Sequence, residues 1–146
     1  MAGFLPDTSC MVAAVCTWHE RHEAAADEID RRLRARESLV IAAPALAEAY
    51  AVLTRLPGPH RLHAADARDV LKVSFVRQGR LVALEAGRYV RLLAQAPDQG
   101  ITGDAFYDAV IAACAVKARV RAILTLNIAH FRRYADEGVD IVAPGS

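Results

Sequence analysis

Several signals that would announce a specialised chemistry are missing or thin in this sequence. Its three cysteines, Cys10, Cys16 and Cys114, are odd in number, form no C-x-x-C and sit in apolar, alanine-rich stretches. They read as reduced core residues of a cytosolic protein, not as a disulfide framework. No apolar run approaches the roughly 18 residues of a membrane span. The opening Met-Ala-Gly-Phe-Leu-Pro-Asp lacks a basic segment followed by an apolar one, so neither secretion nor membrane insertion is expected and the chain reads as cytoplasmic. G-x-S-x-G, G-x-G-x-x-G and G-x-x-x-x-G-K-[ST] are absent, which removes the fingerprints of a nucleophile elbow, a dinucleotide site and a P-loop. Aromatics make up 6% of the chain, too few for the stacking platforms of a single-strand-binding protein; Trp18 and Tyr107 read as packing residues. A net charge of +1 supplies no global basic field, so any contact with nucleic acid depends on local patches.

What is present is a globular composition, 54% hydrophobic and 24% charged, over a length that suits one domain spanning residues 1–146. Short apolar runs of strand length alternate with longer segments of helical period, which predicts an α/β fold with a parallel sheet between two helical layers. Strands are expected at Gly3–Leu5, Leu39–Ala42, Leu81–Leu84, Ala122–Thr125 and Val139–Val142. Thr8 and Ser9 offer caps for a helix over Cys10–Cys16, and further helices are expected over Glu20–Ala35, Pro44–Arg55, His60–Val76 and Glu85–Gln95. Thr102 is expected to cap an alanine-rich helix over Asp104–Lys117, and a short helix covers Ile128–Tyr134.

Within this pattern three acids stand where acids are costly. Asp7 sits at the C-terminal end of the first strand, where open parallel sheets bind their ligands. Asp108 breaks the apolar surface of a helix whose neighbours at helical spacing are Ala105, Ala109, Ala112, Ala113 and Ala115, with Asp104 one turn before it. Glu48 lies in the otherwise apolar Ala45-Leu46-Ala47-Glu48-Ala49-Tyr50-Ala51. Carboxylates gathered at one strand-end pocket repel by about 4 kcal/mol per pair at 4 Å and an effective dielectric near 20. A hard cation such as Mg²⁺ or Mn²⁺ relieves that repulsion with few protein ligands, and it can activate water and neutralise charge on a phosphate. Each acid also has a plainer reading: Asp7 as a helix cap, Glu48 as a solvent-facing side chain, Asp108 as the partner of an arginine.

Asp7-Thr8-Ser9, Glu48 in Pro-Ala-Leu-Ala-Glu-Ala-Tyr, Tyr107-Asp108-Ala109-Val110-Ile111-Ala112-Ala113-Cys114-Ala115 and Leu124-Thr125-Leu126-Asn127-Ile128-Ala129-His130-Phe131 together resemble the successive motifs of PIN-domain ribonucleases, particularly VapC-type toxins, over nearly the whole chain. The resemblance implies about five parallel strands and Mg²⁺-dependent or Mn²⁺-dependent RNA cleavage. A homodimer and inhibition by a VapB-type antitoxin are implied as well. It assigns Asp7, Glu48 and Asp108 to the metal-site acids and Asn127 to the polar residue after the fourth strand; Asp104, which has no firm counterpart in the family, and Thr8 stand beside them as auxiliary candidates. Two positions depart from the pattern. His130 stands where many relatives carry a further acid, which leaves the fourth carboxylate missing or supplied by Asp104. Pro6 replaces an apolar strand residue and should end the first strand early.

Among the basic residues, Arg119, Arg121, Arg132 and Arg133 lie near the last motif and are candidates for substrate phosphates. Arg31, Arg32, Arg34 and Arg36 read as a solvated, dipole-compensating helix end. The pairs His19/His22 and His60/His63 have the spacing of two ligands on one helical face and raise a competing zinc reading without a third ligand. The leading functional reading is a metal-dependent endoribonuclease. Its alternative is a catalytically weak PIN-like interaction module, and a metal-dependent phosphatase or DNA nuclease using the same acids stands third.

Overall fold

The computed structural model describes residues 2–145. Five strands, β1 (Gly3–Pro6), β2 (Ser38–Ala42), β3 (Arg80–Val82), β4 (Ala122–Leu124) and β5 (Asp140–Val142), form one sheet in the order β3-β2-β1-β4-β5, and every pairing is parallel. Strand order therefore reverses between β1 and β4, which opens a crevice beyond their C-terminal ends. The helices are α1 (Thr8–Val15), α2 (His22–Arg34), α3 (Ala43–Arg55), α4 (Ala64–Leu71), α5 (Ala86–Gln95), α6 (Ala105–Ala118) and α7 (Ile128–Phe131). With this strand order, the right-handed rule for parallel crossovers assigns α1–α4 to one face and α5–α7 to the other. In keeping with this, α1 packs on α2 and α3, α3 on α4, α5 on α6 and α6 on α7.

The three central strands, β2, β1 and β4, are apolar on both sides because both faces are covered: Phe4, Leu5, Val40, Ile41, Ile123 and Leu124 are buried together with Met11, Leu53, Phe75, Ile111 and Phe131. No helix among the described residues is long and apolar enough to cross a membrane. Cys10, Cys16 and Cys114 are buried free thiols.

Several local expectations are corrected. β1 does not stop short of Pro6, which is its last residue and pairs with Leu124 of β4. The carbonyl of Ala2 faces Ser38 on the β2 side, while the carbonyl of Gly3 and the N–H of Asp7 face β4. By strand alternation, the donor that Pro6 lacks points toward β2, where the paired register stops at Phe4↔Leu39. The cap of α1 is Asp7, which accepts from the Cys10 N–H, not Thr8 or Ser9. Residue 104, not Thr102, holds the N-cap position of α6, without a side-chain hydrogen bond.

The expected helix over His60–Val76 is three pieces: a 3₁₀ turn at Gly58–His60, α4, and a π-helical turn over Lys72–Val76 that drives Phe75 into the core. Beyond that turn the Gly79 N–H donates to the Phe75 carbonyl, and a Cβ at Gly79 would lie 2.9 Å from that oxygen. The third strand runs Arg80–Val82, not Leu81–Leu84, and past Phe131 the short helix tightens into a 3₁₀ turn over Arg132–Glu137. Trp18 and Tyr107, expected to pack, are 46% and 56% exposed.

Candidate active site

Asp7 follows β1 directly, at the C-terminal edge of the sheet, and its carboxylate is nearly enclosed at 5% exposure. Oδ1 accepts from Ser9 Oγ (2.6 Å) and the Cys10 N–H (2.9 Å), and Oδ2 accepts from Thr125 Oγ1 (2.6 Å). Each hydroxyl is itself oriented by a backbone donor: the Leu126 N–H reaches Ser9 Oγ at 3.2 Å and the Asn127 N–H reaches Thr125 Oγ1 at 3.0 Å. The β4–α7 loop is thus sewn to the β1–α1 turn through one carboxylate. Capping and site membership are not competing roles for Asp7; it does both. Burial raises its pKa above the ordinary carboxylate value, opposed by the Ser9, Thr125 and Cys10 hydrogen bonds and reinforced by the charge of Glu48.

Glu48 comes from the second turn of α3 and is half-buried, with Thr8 Oγ1 donating to its Oε1 at 2.6 Å. Asp108 projects from the first turn of α6 with 21% of its side chain exposed. Its carboxyl is pushed up to about 6 by burial, and the charges of Asp7 and Glu48 push in the same direction while His130 opposes them. The partner of Asp108 is that histidine, whose Nδ1 lies 3.1 Å from Oδ2, and not an arginine. His130 Nε2 in turn stands 3.0 Å from Asn127 Nδ2.

A cleft of about 350 Å³ collects Asp7, Thr8, Glu48, Asp104, Asp108 and Asn127, all named from the sequence, with Ser9, His19 and His130 beside them. No lysine or arginine lines it among the described residues. The donor set is therefore oxygen-rich, mutually repelling and without a fixed counter-cation, which is the chemistry a hard divalent ion satisfies. Asp7 keeps acceptor capacity at Oδ2 for such an ion after its protein hydrogen bonds. Among the described residues no three His, Cys, Asp or Glu side chains close to a ligand-spaced cluster. The acids fit an ion that retains several waters and takes only one or two protein oxygens directly, as Mg²⁺ does.

Other expectations fall away from the cleft. Arg119 and Arg121 lie at the opposite end of the sheet. Arg119, at φ 57°, is the left-handed C-cap of α6, and Arg121 enters β4 with its N–H on the Gly3 carbonyl. A strand has two ends, and proximity in sequence to the last motif did not reveal which one these residues face. Arg132 and Arg133 are exposed on the 3₁₀ turn after α7, where an Arg133 Nη atom donates to the Gln99 carbonyl at 3.2 Å. Arg31 and Arg32 engage Glu28, Arg32 also Glu37, and Arg34 Asp30.

The histidine pairs do not share helical faces. His60 closes a 3₁₀ turn and stacks on Trp18, with ring centroids 4.0 Å apart, while His63 precedes α4; His22 opens α2 and bonds the Ala13 carbonyl, while His19 lies in the turn before it.

Sequence reasoning missed Thr125 and the double role of Ser9. Both were legible as hydroxyls flanking the two strand ends that bracket the switch point. Their common target was not, because 118 residues separate Thr125 from Asp7.

A family model described as PIN domain matches residues 4–137. The chain is 35% identical over 136 residues to ribonuclease VapC40 of Mycobacterium tuberculosis, covering 93% of this chain and 95% of that protein. Among solved structures it is similar to VapC20 of Mycobacterium tuberculosis, described as a sarcin–ricin loop cleaving toxin. That match has a TM-score of 0.70 at 19% identity and covers 97% of this chain and all of that one. It is also similar to a chain of VapBC2 from Rickettsia felis bound to a promoter DNA fragment, with a TM-score of 0.68 at 17% identity over 97% and 98% of the two chains.

Proposed function

This chain belongs to the PIN-domain family, among the VapC ribonucleases, and from that premise we propose that it is a divalent-metal-dependent endoribonuclease, the toxin of a toxin–antitoxin pair. The observation that carries the reading is the cleft beyond β1 and β4, where Asp7, Glu48 and Asp108 meet with no lysine or arginine lining it among the described residues, and where burial and neighbouring carboxylate charge raise the proton affinity of Asp7 and Asp108. Asp7, Glu48 and Asp108 would hold Mg²⁺ or Mn²⁺, some of them through water. The ion supplies activation of the attacking water and neutralisation of charge on the scissile phosphate.

The chain's own residues do the rest. Asp7, fixed by three hydrogen bonds, sets the floor of the site and cannot swing with substrate. Glu48, steadied by Thr8, is half-exposed and placed to accept the proton of attacking water. Asn127 orients water at the rim, and Asp104, exposed one turn before Asp108, adds negative potential that favours a cation. Arg132 and Arg133 follow His130 on the turn beyond α7 and are assigned the phosphates flanking the cut.

The antitoxin partner is supported by a second feature. Leu46, Tyr50, Leu71 and Val76 line an apolar depression of about 450 Å³ between α3, α4 and the π-turn, flanked by Arg68 and Lys72. It suits an amphipathic segment carrying acids beside its apolar face. The exposed Tyr89, Val90 and Leu93 on α5 offer an apolar face for a homodimer. The chain is taken to act in the cytoplasm, where its RNA substrates are.

The deciding experiment is cleavage of labelled tRNA and ribosomal stem-loops with Mg²⁺, Mn²⁺ or EDTA, beside Asp7→Asn and Asp108→Asn. Cleavage abolished by EDTA and by both variants is the expected result. Cleavage indifferent to the variants would overturn the assignment of the site. Absence of cleavage in every metal, with tight binding of a partner protein, would favour a non-catalytic interaction module.

A further inference from the structure

His130 is the feature of the cleft that an all-carboxylate site does not explain. It is 58% exposed, lines the same cleft as the acids, and its Nδ1 faces Asp108 Oδ2 at 3.1 Å. Two neighbouring donors of one octahedral ion, each about 2.1 Å from it, stand roughly 3 Å apart. The two atoms therefore already hold the spacing of a ligand pair. The far side of the ring is provided for as well. A ligating imidazole needs its other nitrogen to carry hydrogen and to donate it to an oxygen, and Nε2 stands 3.0 Å from the Asn127 amide.

An amide serves either state. Its NH₂ donates to a bare Nε2 when Nδ1 carries the proton toward Asp108. Turned over, its oxygen accepts from Nε2–H when Nδ1 is bare. The other imidazole at the cleft is differently committed: His19 Nδ1 accepts the Arg21 N–H at 3.0 Å, which leaves its hydrogen on Nε2.

We infer that His130 is a direct metal ligand paired with Asp108, making this a mixed carboxylate–imidazole site that prefers Mn²⁺ to Mg²⁺. Imidazole binds divalent transition ions better than Mg²⁺, which is held best by oxygen. The inference rests on the metal-dependent reading of the cleft and deepens it by naming the ion and a ligand.

Pulsed electron-spin-echo spectroscopy of the full chain loaded with one equivalent of Mn²⁺ reads directly bound ¹⁴N, and calorimetric titration gives the Mn²⁺ and Mg²⁺ affinities. The expected result is a ¹⁴N coupling that disappears in His130→Gln and persists in His19→Gln. Mn²⁺ affinity should fall on the order of tenfold in His130→Gln, and His130→Asp should move the preference toward Mg²⁺. Circular dichroism melts verify that the variants fold. Mn²⁺ binding that is lost in Asp108→Asn yet shows no ¹⁴N coupling in the native chain would overturn the imidazole ligand while leaving the acid site intact. A coupling that follows His19 would overturn it equally. Failure of the native chain to bind either ion would overturn the metal-site reading, and this inference with it.

Discussion

At the C-terminal edge of the sheet, β1 and β4 give way to Asp7 and Thr125, and α3 and α6 add Glu48 and Asp108. At the N-terminal edge the chain carries Arg119 and Arg121 at the start of β4, and Arg80 at the start of β3, whose guanidinium reaches the Ala118 carbonyl at 3.5 Å. The strands that separate these edges are only three to five residues long, so at about 3.3 Å per residue the two sets of charge stand on the order of 10 Å apart. That is about one Debye length at 0.1 M salt. The arginines are too far away and too exposed to offset the acids, so the charge of the cleft must be met by something that enters it.

The comparison breaks first, and most visibly, in catalysis. Asp7→Asn and Asp108→Asn should each lower single-turnover RNA cleavage on the order of 10³-fold, because several kcal/mol of charge stabilisation are lost at about 1.36 kcal/mol per decade. The double variant Arg119→Ala/Arg121→Ala should stay within about twofold. Equal losses at the two edges would mean that substrate wraps the whole sheet end to end.

Next in size is the strut between the strands. Thr125→Val removes the donor to Asp7 Oδ2 and the acceptor of the Asn127 N–H and should cost about 1–3 kcal/mol in urea unfolding, the range for a buried polar group left unpartnered. Thr102→Val, in an exposed loop, should cost nothing measurable. An unchanged midpoint for Thr125→Val would show that the network contributes no stability.

A third prediction concerns pH. Burial and the neighbouring charges raise Asp108 from 3.8 to about 6 and raise Asp7 in the same sense. Between those limits the folded state binds protons that the unfolded chain releases, so the stability of the metal-free protein falls as pH rises through about 6. Melting temperatures from pH 4.5 to 7.5 should show the decline, and Asp108→Asn should flatten it. Saturating divalent cation should reverse it, since the ion requires the ionised acids. A profile that rises with pH in the metal-free protein would contradict the crowding of carboxylates.

The smallest effect is expected at Thr8→Val. It removes one hydrogen bond to the half-buried Glu48 and should change stability by roughly 0.5–1.5 kcal/mol and cleavage by a few-fold.

Asp7, Glu48 and Asp108 were legible in the sequence because each interrupts an apolar pattern, and such interruptions are costly unless a partner or an ion repays them. The parallel sheet was legible from the alternation of strand-length and helix-length segments. Pro6 misled because a proline in a strand matters only on the side its missing N–H faces, and that side is set by the neighbouring strand. The arginines misled for a related reason. Arg121 is four residues from Thr125, yet a strand lies between them and puts them on opposite edges.

The sequence by itself determined the alternation of strands and helices along most of the chain and which acids interrupt apolar ground, since these follow from local periodicity and the cost of burying charge, but not the breaks within residues 58–76 or the caps of α1 and α6. Tertiary structure alone decided that Thr125 and Ser9 meet on one carboxylate, that His130 pairs with Asp108 and Asn127, and that the basic residues of β4 face away from the cleft. Those outcomes depend on strand order and on how the chain segments pack, in the case of Thr125 on the register of β1 against β4, more than a hundred residues apart.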